Sequence, residues 1–186
     1  MCGIRLLRVV AGFSLLVGCS DPVHDSAVSA LGGEAPGIPQ GEFHRAGQPC
    51  TVCHGPMGPA NTQFSIAGTV FAGQNNTVGV DQAQVLMVDS ITASPKIPIF
   101  TNCVGNFSST KDIYDPAFPV AVGISSNGAG AQMVGHIGRE TSCANCHKDP
   151  QGLDSPGHVY VTVTPQPNNP NCPVSPVAGG GGTALP

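Results

Sequence analysis

The chain has 186 residues, a formal net charge of −4 and only 10% charged residues. No basic patch follows a nucleic-acid backbone, so no nucleic-acid partner is expected. With 25 Gly, 18 Pro and no Trp, the composition argues against a helical bundle and favours short strands joined by many turns.

At the N-terminus Arg5 and Arg8 precede an apolar run over residues 9–17. The run falls short of the roughly 20 residues that a membrane-spanning helix needs. It closes in Leu16-Val17-Gly18-Cys19, which resembles the lipobox of bacterial lipoprotein signal peptides. The resemblance implies that residues 1–18 are a signal peptide, cleaved before Cys19. It also implies a diacylglycerol on the Cys19 thiol and an acyl group on its amine. Several acyl chains anchor stably where one is marginal. Ser20 stands where an Asp would mark retention at the inner membrane, so the expected address is the outer membrane, facing the periplasm or the surface. Cleavage removes two cations and leaves a more acidic chain, which suits redox partners with basic surfaces. Residues 19–40 are rich in Gly, Pro, Ala and Ser and lack apolar periodicity. They read as a flexible tether with a reach of roughly 25 Å.

Residues 41–59 hold the first notable motif, Cys50-Thr51-Val52-Cys53-His54. The surrounding Gly and Pro leave room for one or two helical turns. Strand signals follow, with apolar or alternating runs at 64–71, 83–88, 96–101, 105–108, 119–125 and 157–163. Gly, Asn and Pro clusters separate them, a spacing that predicts an antiparallel β-sandwich. The runs Ile66-Ala67-Gly68-Thr69-Val70-Phe71, Ala83-Gln84-Val85-Leu86-Met87-Val88-Asp89 and Thr101-Asn102-Cys103-Val104-Gly105-Asn106-Phe107 resemble carboxypeptidase-regulatory-like domains. That resemblance implies a transthyretin-like, or prealbumin-like, sandwich, with a Gly-Asn turn and an aromatic return strand. It says little of chemistry, which resides in sites grafted onto such folds. The expected folded domain spans residues 41–163.

A second motif, Cys143-Ala144-Asn145-Cys146-His147, repeats the first. Two thiols at this spacing add to the two vinyl groups of haem, and the adjacent His lies under the iron. Given this content of Cys and His, chance predicts about 0.01 such motifs. Both copies match the cytochrome c attachment motif. The match implies two haem c groups, held covalently by Cys50, Cys53, Cys143 and Cys146, with His54 and His147 as proximal iron ligands. Zinc is the main competitor, but zinc fingers seldom use the His directly after the second Cys in both halves. A redox Cys-x-x-Cys would normally occur once, at a strand-to-helix turn.

Three residues lead as distal ligands. His44 lies six residues before Cys50, a span that extends about 20 Å and can reach round a haem edge. His136 lies seven residues before Cys143. Arg45 and Arg139 accompany them; each is read either as a partner of a haem propionate or as a solvated surface charge. Met133 rivals His136, because in an extended segment the two point to opposite faces. A Met ligand would raise the potential. His158 ranks behind these, His24 falls in the tether, and Met87 reads as core. The competing reading of each lone His is a surface group.

Eight cysteines are present, and only Cys103 and Cys172 are not absorbed by the signal peptide, the lipid or the motifs. In an oxidising compartment such a pair points to a disulfide. Residues 164–186 read as a Pro- and Gly-rich tail. The sequence therefore predicts a lipid-anchored dihaem c-type cytochrome acting in electron transfer. A haem enzyme, such as a peroxidase-like activity, and a structural or binding module that displays haems are the alternatives.

Overall fold

Period-2 burial shapes the larger sheet. The computed structural model describes residues 21–90, 98–165 and Cys172. The expected signal peptide, Cys19, the beginning of the run at 96–101 and nearly all of the expected tail lie outside the described residues. In β2 (Gln84–Asp89) the side chains of Val85, Met87 and Asp89 are buried, while Gln84, Leu86 and Val88 are half-buried. This strand lies between β3 (Ile99–Phe100) and β5 (Val120–Ser126), and β6 (Ala129–Gln132) closes the antiparallel order β3-β2-β5-β6. Its register sets Val85 against Ile124 and Met87 against Val122. The β5–β6 hairpin turns at Asn127-Gly128, both at positive φ (49° and 81°), as a tight two-residue hairpin loop requires.

A smaller antiparallel pair joins β1 (Ile66–Thr69) to β4 (Asn106–Ser109). All four β1 residues are buried, so this strand is covered on both faces. Gly105, at φ 82°, closes the turn into β4, and a Cβ there would stand 2.3 Å from the Val70 carbonyl oxygen. One core receives Ile66 and Phe107 from the small sheet and Val85, Met87, Val120 and Ile124 from the large one. Each large aliphatic side chain fully buried there contributes about 1.5–3 kcal/mol. The fold is thus mainly antiparallel strands with few helices among the described residues. No described helix is long and apolar enough to cross a membrane.

Two expectations differ from the structure. The run at 157–163 forms an isolated parallel bridge, Tyr160 to Phe71, and not a named strand. Phe71 N donates to Val159 O (2.9 Å), and Val161 N donates to Phe71 O (3.0 Å). Phe71 lies past the end of β1 and the chain bends away at Ala72 and Gly73, which leaves little straight backbone to extend the ladder. The second difference lies in the expected tether, which contains α1 (Pro22–Ala30). Asp21 caps this helix by accepting from Val23 N and His24 N, both at 3.1 Å, and Pro22 opens it with its φ already set. The Arg45 guanidinium donates to Leu31 O (3.2 Å) and Gly32 O (2.7 Å) at the other end. No α1 residue is fully buried, so an apolar stripe was not there to be read. Cys103 and Cys172 are disulfide-bonded with their Cα atoms 5.8 Å apart.

Candidate functional site

Both Cys-x-x-Cys-His motifs converge on β1. The first forms α2 (Cys50–His54), and the second forms α3 (Cys143–Cys146) followed by His147. Each helix packs against β1. The second motif is joined by backbone: Ala67 N donates to Thr141 O (2.8 Å), and Ala67 bridges Ser142 in parallel. The first is joined through a side chain, Gly47 N donating to Thr69 Oγ1 (2.8 Å). Gly68 allows this close approach. A Cβ there would stand 2.8 Å from Cys143 Sγ and 2.9 Å from the Phe107 ring. Gly47 from the first segment and Cys143 and His147 from the second line one shared crevice.

The leading thiols of the two motifs also lie close together. Cys50 and Cys143 retain partial exposure as residues, yet their sulfurs lie deep among protein atoms. Burial raises the Cys50 thiol to about 11. Burial, then repulsion from Cys50, raises the Cys143 thiol to about 12. Without a bound group, both are therefore neutral thiols at neutral pH. Among the described residues no three His, Cys, Asp or Glu side chains form a metal cage.

The two motif histidines share one device. His54 Nδ1 lies 2.8 Å from Thr62 O, and His147 Nδ1 lies 2.9 Å from Gly157 O. A carbonyl only accepts, so each Nδ1 carries the proton and each Nε2 keeps its lone pair. This is the tautomer of a ring that binds a metal through Nε2. Phe64 stacks on His54 with centroids 4.2 Å apart, fixing that ring. Around His147, Ser155 Oγ accepts from Lys148 N (2.7 Å) and Gly157 N (3.1 Å), tying the carbonyl-bearing loop to the end of α3. Each motif thus presents two cysteines and an imidazole whose Nε2 is not engaged by the carbonyl that holds Nδ1.

His44 stands beside the first motif, its ring 5.9 Å from that of His54 and inclined at 74°. Among the described residues the second motif has no such companion. His136 is exposed in the bend after β6, with no ring contact to His147 among the described residues. Met133 is half-buried, its N donating to Val122 O (3.0 Å). Because β6 ends at Gln132 and the chain bends at Val134 and Gly135, strand alternation does not decide between Met133 and His136.

Other sequence candidates have different duties. Both nitrogens of His158 face oxygen, Asp149 Oδ2 at 2.5 Å and Gly73 O at 2.9 Å, so neither is free to bind iron. The Arg45 guanidinium is occupied by Leu31 O, Gly32 O, Gln48 Oε1 and Glu34 Oε1, and holds α1 against the first motif. Arg139 is exposed. Sequence reasoning missed Glu34, Glu140 and the Asn102–Asn106 pair. Glu140 Oε1 accepts from Thr141 N, Ser142 N and Asn145 Nδ2 and so fixes the turn into α3. Asn102 Nδ2 donates to Glu42 O (2.6 Å) and Asn106 Nδ2 to His44 O (2.8 Å), which fixes the loop before the first motif. Glu140 and the asparagines gave no signal beyond their turns. Comparison with protein-family models, curated proteins and solved structures returns no match.

Proposed function

We propose that this chain is an exported, lipid-anchored dihaem c-type cytochrome that carries electrons, built on a transthyretin-like β-sandwich. The observation that carries the reading is the twice-used histidine device: in each Cys-x-x-Cys-His motif, Nδ1 is committed to a backbone carbonyl and Nε2 is left as a ligand. Cys50 and Cys53 would hold one haem and Cys143 and Cys146 the other, with His54 and His147 on the irons. When bound, haem supplies one-electron redox chemistry. The protein orients the imidazoles, walls off the sulfurs and sets donor strength through the partners of Nδ1. Seating both motifs on one four-residue strand brings the two attachment points together, which favours electron exchange within the molecule. His44 is the favoured distal ligand at the first motif, on its approach to His54. His136 and Met133 remain the candidates at the second. The lipid on Cys19 would hold the carrier at the outer membrane, and its acidic mature surface would favour basic redox partners.

Oxidised and reduced absorption spectra of protein matured with a cytochrome c assembly system test the reading. Two low-spin c-type haems that reduce and reoxidise reversibly are expected. A five-coordinate, high-spin ferric haem at one motif would favour a peroxidase-like enzyme. Haems that exchange no electrons with any redox partner would favour a display or binding module.

A further inference from the structure

In the segment ahead of the first motif, three buried polar atoms have no hydrogen-bond partner: His24 Nε2, Glu34 Oε2 and His44 Nδ1. Such atoms are costly in a protein interior, and each calls for an explanation. The last two belong to neighbours. Glu34 Oε1 lies 3.3 Å from His44 Nδ1, close enough for charge pairing but misaligned for a hydrogen bond. A small rotation of the ring or carboxylate would satisfy both groups. Glu34 is itself held from the other side by Arg45 Nε at 2.9 Å. Arg45 is anchored in turn to the end of α1 and to Gln48, two residues before Cys50.

We infer that Glu34 is the positioning residue for His44: its carboxylate accepts a hydrogen bond from Nδ1–H, turns Nε2 toward His54 and strengthens the ring as a ligand. The inference rests on the dihaem reading and deepens it. It makes the two motifs chemically unequal. His54 and His147 lean on neutral carbonyls, whereas His44 leans on an anion. A carboxylate on the outer nitrogen raises the basicity of a metal-bound imidazole and stabilises the oxidised metal. The first haem is therefore expected to have its potential lowered through His44. Residues 31–34, ahead of the first motif, act as part of the site.

The test uses the full-length haem-loaded protein with Glu34→Gln and Glu34→Asp. The first removes the charge; the second keeps it but withdraws it from Nδ1. The readouts are the two midpoint potentials and the low-spin electron paramagnetic resonance signals, which report the angle between axial imidazole planes. Glu34→Gln should raise one midpoint and shift that haem's resonance, leaving the other haem unchanged. Glu34→Asp should shift the same resonance while moving the midpoint less. If the midpoint moves in Glu34→Gln but neither variant shifts a resonance, Glu34 acts only as a distant charge and the inference is overturned. Unchanged potentials and resonances in both variants overturn it as well. Failure of the dihaem reading looks different, because the unaltered protein would then carry no haem.

Discussion

The two motifs have the same five-residue pattern and different means of support. The entry to the second is built into the sheet at Ala67, Glu140 holds the turn into its helix and Ser155 pins the loop that holds His147. The first has backbone bonds after it, Ala60 N to Cys53 O and Phe64 N to His54 O, but its entry is held mostly by side chains reaching across loops. Arg45 binds the end of α1, Asn102 and Asn106 hold the carbonyls of Glu42 and His44, and Thr69 catches Gly47. Backbone pairing gives a fixed seat, whereas a side-chain network can be edited residue by residue. The difference teaches that a motif specifies what is attached, and its surroundings specify how firmly it is held and with what tuning. On the proposed dihaem reading, the side-chain-held motif is the natural place for potential and ligation to vary.

The largest expected effect comes from the disulfide, which acts on the first motif's side. Cys103 sits in the turn whose asparagines hold residues 42–44 and is tied to Cys172, 69 positions onward. In a chain-entropy treatment, closing a loop of that size stabilises by roughly 4 kcal/mol. Paired Cys103→Ser and Cys172→Ser changes should lower the denaturation midpoint and loosen the first motif more than the second, as read by hydrogen exchange. Equal loosening of both would erase the proposed asymmetry. Gly68→Val should strike the second motif instead, since its Cβ would meet Cys143 Sγ at 2.8 Å. Overpacking of this kind costs about 1–3 kcal/mol. Haem content at Cys143 and Cys146, read by peptide mass mapping, should fall while attachment at Cys50 and Cys53 persists. The smallest effect is expected for Arg45→Ala. It removes charge-assisted hydrogen bonds worth about 1–2 kcal/mol in net terms. Exchange should speed up in α1, with α3 unaffected.

Much of this was legible before the fold was known, though unevenly. Alternation in residues 84–89 and the β-branched residues of 120–126 announced strands, because one face of each had to meet the core. The motif residues were legible from spacing, and the Cys103–Cys172 pair from elimination. The Asn127-Gly128 dipeptide was a hairpin signal, yet the Gly- and Ala-rich β6 after it has no apolar pattern to read. Helix α1 was hidden for a related reason: its stability comes from the Asp21 cap and from Arg45, fourteen residues past Leu31. His44 and His136 precede their motifs by six and seven residues, yet among the described residues only His44 lies beside its motif histidine. Similar sequence offsets do not give similar positions when one segment is folded back by Glu34 and Arg45 and the other leaves an edge strand.

The central claim is that both motifs are covalent haem sites, and intact mass under denaturing conditions addresses it most directly. Protein matured with a cytochrome c assembly system should carry the added mass of two haems after unfolding, because thioethers survive denaturation. Cys53→Ala and Cys146→Ala should each weaken or abolish one attachment, leaving the other haem in place. Natively matured protein with no added haem mass, no Soret absorption and bound zinc would contradict the account.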